Sequence, residues 1–309
     1  MEKALVTGGA GFIGSNLVEA LVDRDVGVVV LDNLYLGSED NLSEVKDKVR
    51  FIDGSVNDRE SVEEAIKGCD TVFHLAARSS SPMHKENPEK GAHVNIEGFI
   101  TVADAAVEEG VEKIVYASTS SMYGSVEPPH REDMDVTPTN LYTASKMSRE
   151  KYAEVYSYKH DIQTTGLRFF SVYGPHERAK GEFANVVTQF LWKMMDGDQP
   201  VIWGDGEQER DFVFVEDVVK ANLLAAERLD ESDGEVFNVG TGDPVTFNQV
   251  VEKLNEKLGT DIDAERIENP RSKYVRKHQA DYSKAREVLG FEPDYSFDEG
   301  VTKIVDYYR

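Results

Sequence analysis

Lys3-Ala4-Leu5-Val6-Thr7-Gly8-Gly9-Ala10-Gly11-Phe12-Ile13-Gly14 opens the chain and decides its fold. A short, β-prone apolar run leads directly into glycines spaced three apart (Gly8, Gly11, Gly14), and a helical pattern follows from Ser15 to Arg24. In such a strand–turn–helix each glycine has its own task. Gly8 makes the tight turn, Gly11 lets the backbone approach a pyrophosphate, and Gly14 lets the helix pack closely on the strand. The helix N-terminus adds free N–H groups and a partial positive charge for the anion. A second apolar strand, 27–31, is closed by Asp32, about where the acidic residue of a dinucleotide site belongs. A carboxylate there accepts hydrogen bonds from both hydroxyls of an adenosine ribose and repels a 2′-phosphate, which favours NAD over NADP.

Outward from this turn, the first half alternates between two periods. Strands are predicted at 49–52, 71–75, 113–117 and 164–169, and helices at 59–67, 89–109 and 141–160. Apolar strands alternating with amphipathic helices predict a doubly wound parallel sheet of the Rossmann type, covered on both faces, with ligands beyond the carboxyl ends of the strands. After about residue 175 the pattern loosens. Helices are predicted at 183–196, 215–229, 247–258, 283–289 and 297–308, and short strands at 200–203, 236–239 and 262–266. The expected division is an NAD-binding domain over 1–175, joined again by segments near 205–240, and a smaller mixed α/β substrate-binding domain over 176–309.

The composition excludes some functions. With 58 acidic against 34 basic residues the formal charge is −24, which argues against nucleic acid or an anionic membrane as partner. Such a surface would suit a salty cytoplasm. The single cysteine, Cys69, allows no intrachain disulfide and fits a reducing, cytoplasmic setting. The apolar runs fall short of a membrane span, and Met1-Glu2-Lys3 leads into the first strand with no room for a signal peptide. No metal centre is expected.

Tyr142-Thr143-Ala144-Ser145-Lys146 begins a predicted helix, and the i, i+4 spacing puts Tyr142 and Lys146 on one face. A tyrosine at its ordinary pKa of about 10 is a poor base at neutral pH, and lowering it by about three units takes roughly 4 kcal/mol. An adjacent ammonium and a nicotinamide cation would both favour the phenolate. Ser118-Thr119-Ser120-Ser121 follows the fifth strand, where hydroxyls can bond a substrate oxygen and assist proton transfer to Tyr142.

These stretches, with Asp32-Asn33, His74-Leu75-Ala76-Ala77, Met122-Tyr123-Gly124, 167–175, Gly204-Asp205-Gly206, 210–213 and 237–240, resemble the extended short-chain dehydrogenase/reductases over essentially the whole chain. Within them the similarity is to nucleotide-sugar epimerases of the UDP-glucose 4-epimerase type. The resemblance implies Thr119, Tyr142 and Lys146 as catalytic residues, Lys146 also holding the nicotinamide ribose. It assigns Gly8, Gly11, Phe12, Ile13, Gly14, Asp32, Asn33, Leu75, Ala76, Ala77 and Phe169 to the cofactor, with Ser55 and Val56 at the adenine. It assigns Ser79, Ser171, Asn185 and Val186 to the nucleotide sugar, Ile202 and Trp203 to a strand along the uracil, and Arg210 and Arg271 to its diphosphate, which suits the arginine fork. The implied reaction removes hydride from C4 of the sugar and returns it to the opposite face. The resemblance also implies a homodimer through the helices near 89–109 and 142–160.

Three departures keep other readings open. Ser171 stands where the family usually has Asn, and Tyr274 where it often has Asp. The run Pro175-His176-Glu177-Arg178-Ala179-Lys180-Gly181 resembles the ADP-glycero-manno-heptose 6-epimerases, which carry a second base at the position of Lys180, and the stretch around Lys273-Tyr274 and Gln279-Ala280-Asp281 leans the same way. N-acetylated or uronate UDP-sugars are further alternatives. A 4,6-dehydratase needs an acid just after the catalytic Thr, where this chain has Ser120-Ser121. A non-catalytic NAD-binding regulator would be expected to lack Tyr142 or Lys146.

Overall fold

The structure, a computed structural model, describes residues 1–269 and 275–309. Along the chain run β1 (Lys3–Thr7), α1 (Phe12–Val22), β2 (Gly27–Asp32), β3 (Val49–Asp53), α2 (Arg59–Ile66), β4 (Thr71–His74), α3 (Ser81–Glu86), α4 (Pro88–Ala92), α5 (Gly98–Glu109), β5 (Lys113–Thr119), α6 (Leu141–Lys159) and β6 (Gln163–Phe169). Then follow β7 (Ser171–Tyr173), α7 (Val186–Met195), β8 (Val201–Trp203), β9 (Glu209–Phe214), α8 (Val215–Glu227), α9 (Leu229–Ser232), β10 (Glu235–Val239), β11 (Pro244–Thr246), α10 (Phe247–Leu258), β12 (Glu265–Ile267), α11 (Ser283–Leu289) and α12 (Phe297–Tyr308).

Seven strands form one parallel sheet in the order β10-β6-β5-β4-β1-β2-β3. Its interior residues are buried on both faces, which is why β1, β2 and β5 read as continuous apolar runs. One face packs on α1 and α8, the other on α2, α5 and α6, giving two separate apolar clusters. The strand order reverses at β1, so the crevice opens beyond its glycine turn. This is the doubly wound α/β architecture expected from the sequence, with smaller sheets added to it.

Those additions are a three-stranded sheet, β11-β9-β7, and a parallel pair, β12-β8. A third apolar cluster joins them to α7, α10 and α12. The sequence gives no expectation of β7, β9 or β11: β7 and β11 have three residues each, too short to show a period, and all three pair across distant segments. The strand expected at 262–266 instead spans Glu265–Ile267. Ile262 is drawn to Asn255, whose side chain bonds both its N–H (2.8 Å) and its carbonyl (3.0 Å). The helix expected at 183–196 starts at Val186, where the Asn185 side chain caps it by accepting from Val187 N–H.

The helix expected over 89–109 is broken by a π-helical turn, His93–Glu97. That extra residue per turn directs the fully buried Asn95 inward, where its amide donates to the Arg78 carbonyl (3.1 Å) and Ser145 Oγ (2.9 Å). Gly91 is required nearby, since a Cβ there would lie 2.4 Å from the His84 ring.

Candidate active site

A cleft of about 1470 Å³ runs across the carboxyl ends of the parallel strands. At one end stands the glycine turn. Gly8 has φ +70°, and a Cβ on it would lie 2.8 Å from Ala76 N; a Cβ on Gly14 would lie 2.1 Å from Gly8 O. No side chain caps the start of α1, which leaves its first amides to a ligand facing Gly11, Phe12 and Ile13. Asp32 lines the same end, accepting from Ala10 N–H (3.0 Å) with one oxygen and from Leu34 N–H (2.8 Å) with the other. Each carboxylate oxygen keeps a lone pair for a ribose hydroxyl. Burial pushes its pKa up, and those backbone donors work against the rise. Asn33, Ser55, Val56, Leu75, Ala76, Ala77 and Phe169 line the cleft too, so every residue expected at the cofactor borders one cavity. A narrow glycine cradle, an uncapped helix start and a ribose-facing carboxylate are the features a dinucleotide requires, and NAD fits the residues present.

At the other end β5 runs on to Thr119, whose Oγ1 accepts from Ser121 N–H (3.2 Å). Asn140 and Thr143 form a capping box that starts α6 at Leu141 and sets Tyr142 in its first turn. The Thr119 hydroxyl acts on the Tyr142 phenol, favouring its ionised form, and Lys146 Nζ donates to the Ala117 carbonyl (2.9 Å). All three line the cleft and are buried. Burial raises the Tyr142 pKa, with Thr119 and the Arg149 charge opposing it. The Lys146 ammonium is itself pushed well down by burial and by Arg149. Arg149, fully buried, also acts on the tyrosine, and it donates to the carbonyls of Asn95, Ala117 and Ala76. Its spacing, i+7 from Tyr142 and i+3 from Lys146, places it on the same helix face and was the signal available in the sequence.

Ser79, Ser171, Asn185 and Arg210 also line the cleft. Asn185 Nδ2 donates to the Val172 carbonyl (2.9 Å), and its N–H to the buried Glu177 carboxylate (2.8 Å). Lys180 lines the cleft as well, held by Glu177 at 3.1 Å and lying 4.9 Å from the Phe12 ring centroid. Three expected residues lie elsewhere. Val186 packs against the third apolar cluster, Ile202 is fully buried within it, and Trp203 does not border the cavity. Arg271, Lys273 and Tyr274 lie outside the described residues.

His278 reaches the cleft with no signal in its local sequence. Its ring lies tilted against Phe170, centroids 4.9 Å apart, and donates through Nε2 to the Ser120 carbonyl (3.0 Å); burial, then His130 and Arg210, push its pKa down to about 3, so it works as a neutral ring. Behind it the buried Asp211 carboxylate accepts from the N–H groups of Thr241, Gly242 and Ala280 and from the Thr241 hydroxyl. Among the described residues no cluster could hold a metal ion, and no helix is long and apolar enough to cross a membrane.

Comparison with known proteins agrees with this arrangement. The profile of the NAD dependent epimerase/dehydratase family matches residues 4–240. A UDP-glucose 4-epimerase of Mycolicibacterium smegmatis is 36% identical, the match covering 99% of this chain and 98% of that one. The crystal structure of a UDP-glucose 4-epimerase from Thermotoga maritima, solved with UDP-glucose, superposes with a TM-score of 0.94 at 39% identity, covering 99% and 98% of the two chains. An ADP-L-glycero-D-manno-heptose-6-epimerase from Helicobacter pylori superposes with a TM-score of 0.88 at 30% identity, over 99% and 96%. The chain belongs to the NAD-dependent epimerase/dehydratase family.

Proposed function

We propose that this protein is a UDP-glucose/UDP-galactose 4-epimerase that works through a transient 4-keto sugar. The observation that carries the reading is the Thr119–Tyr142–Lys146 group, buried at the mouth of the dinucleotide crevice, with Ser120 and Ser121 and no acid beside Thr119. NAD, when bound, supplies the acceptor and donor of the hydride. Tyr142, beside Thr119 in the cleft, takes the proton of the C4 hydroxyl and later returns it. Thr119 orients that hydroxyl. Arg149 keeps positive charge beside the phenolate as it forms, and Lys146 holds the nicotinamide ribose. Arg210 and Asn185 hold the nucleotide diphosphate while the bound ketose turns over. Cleft-lining carboxylates among the described residues, Asp32 and Glu89, belong to the adenosine end, so elimination as in a dehydratase has no acid at the sugar.

One observation favours a second reading. Lys180 reaches the cleft from the position of a second base in heptose 6-epimerases. Its Nζ is engaged by the Glu177 carboxylate at 3.1 Å, which leaves proton abstraction the less favoured role.

Incubation of purified protein with UDP-galactose, without added NAD, tests the proposal. UDP-glucose is expected to form, and Tyr142→Phe to slow it by about 10³-fold. Turnover of ADP-heptose instead, abolished in Lys180→Ala, would favour the second reading.

We place the enzyme in the cytoplasm as a homodimer. Tyr152, Val155 and Tyr158 form an exposed stripe along α6 (43%, 47% and 88% accessible), the face expected to meet a second copy. Val155→Asp is expected to convert a dimer into a monomer by light scattering.

A further inference from the structure

Arg78 and Tyr35 both border the cleft, and neither has a role in the reading above. The Arg78 guanidinium carbon lies 3.3 Å from the Tyr35 ring centroid. Arg78 follows β4 and Tyr35 follows β2, the two strands that flank β1 in the sheet. Their contact therefore crosses the carboxyl end of β1, above the glycine turn.

Both backbones are fixed. Arg78 exchanges two hydrogen bonds with the buried Asn95 side chain, N–H to Oδ1 (2.8 Å) and carbonyl from Nδ2 (3.1 Å). On the other side Leu34 adopts φ +56°, an uncommon conformation for leucine, and its N–H is held by Asp32. The far end of that loop is tied by Ser38 N–H to the Ala10 carbonyl (3.0 Å), and Gly37 is needed there because a Cβ would lie 2.8 Å from the same oxygen. With both loops anchored, the side chains alone can open or close the span. Tyr35 is 48% exposed, so solvent lies on one side of the pair and the crevice on the other.

We propose that Arg78 and Tyr35 form a clasp over the dinucleotide crevice, which keeps NAD bound through successive turnovers and turns a guanidinium toward its pyrophosphate. A reaction without net redox gains from a cofactor that never leaves. A stacked guanidinium supplies such closure without ordering a long lid. The inference rests on NAD in this cleft, not on the sugar, so it stands or falls apart from the epimerase assignment.

The test loads the protein with NADH, adds excess NAD, and follows the loss of bound NADH fluorescence. Tyr35→Ala and Arg78→Ala are each expected to speed dissociation about tenfold, the double variant no more than either single one, and Tyr35→Phe to stay within twofold of the parent. Circular dichroism checks that each variant is folded. Dissociation unchanged in both alanine variants would overturn the clasp. So would acceleration by Arg78→Ala alone, which would assign retention to charge only, or faster NADH association with unchanged dissociation, which would make the contact an obstruction.

Discussion

The two ends of the cleft are built differently. At the cofactor end, recognition is local in sequence: a glycine turn, an uncapped helix and one carboxylate, all within about thirty residues. At the sugar end, Thr119, Ser171, Arg210 and His278 come from four distant segments, and their positions depend on buried polar bonds between loops. The first design fixes one ligand. The second rests on contacts between distant segments, so no short motif dictates the pocket.

Separating the ends by mutation gives the largest effect. Asp32→Ala is expected to yield protein purified without NAD, through loss of charged hydrogen bonds worth about 1.5–3 kcal/mol each. Arg210→Ala should retain NAD and raise KM for the nucleotide sugar about tenfold or more. Measuring bound NAD and KM in both variants checks this; loss of NAD from Arg210→Ala would end the separation.

A smaller effect probes how the sugar end is held together. In Asp211→Asn an amide NH₂ would face one of the backbone pairs that the carboxylate now satisfies. The expected cost is about 3 kcal/mol, seen as a Tm fall of roughly 5–10 °C. Unchanged Tm would mean that these loops hold without the carboxylate.

The smallest effect belongs to the back of the cofactor end. Burial, then Glu44 and Asp23, raise the Glu19 pKa from 4.5 to about 7. Its neighbour His176, 3.8 Å away, has its own pKa lowered by burial and offers little charge in return. A raised folded pKa means that the folded state holds the proton more tightly than the unfolded chain. That contribution is full below pH 4.5 and lost as pH rises through about 7. Glu19→Gln should therefore raise Tm at pH 8 by roughly 2–4 °C, with the gain gone by about pH 4.5. Thermal scans across pH would show it, and a gain independent of pH would refute it.

The same contrast sets what the sequence could reveal. Gly8, Gly14 and Asp32 are legible because turn geometry and ribose chemistry demand those residue types at those spacings, and the parallel sheet follows from alternating periods. Arg149 shares a helix face with Tyr142 and Lys146, yet only three-dimensional burial shows that its charge favours the phenolate. Ile202 has an ordinary strand environment in sequence; only the pairing of β8 with β12 turns its side chain into the core. The Arg78–Tyr35 contact joins residues far apart in the chain that share no motif. Spacing encodes what a helix or turn imposes, and is silent where loops meet across a sheet.

Asp211 has a further consequence. Its carboxylate ties Ala280, while Glu209 N–H holds the Arg276 carbonyl at 2.7 Å, so the chain bearing Val275 and His278 is moored from behind. One buried aspartate thus carries a stretch of cleft wall that lies 69 positions further along the chain.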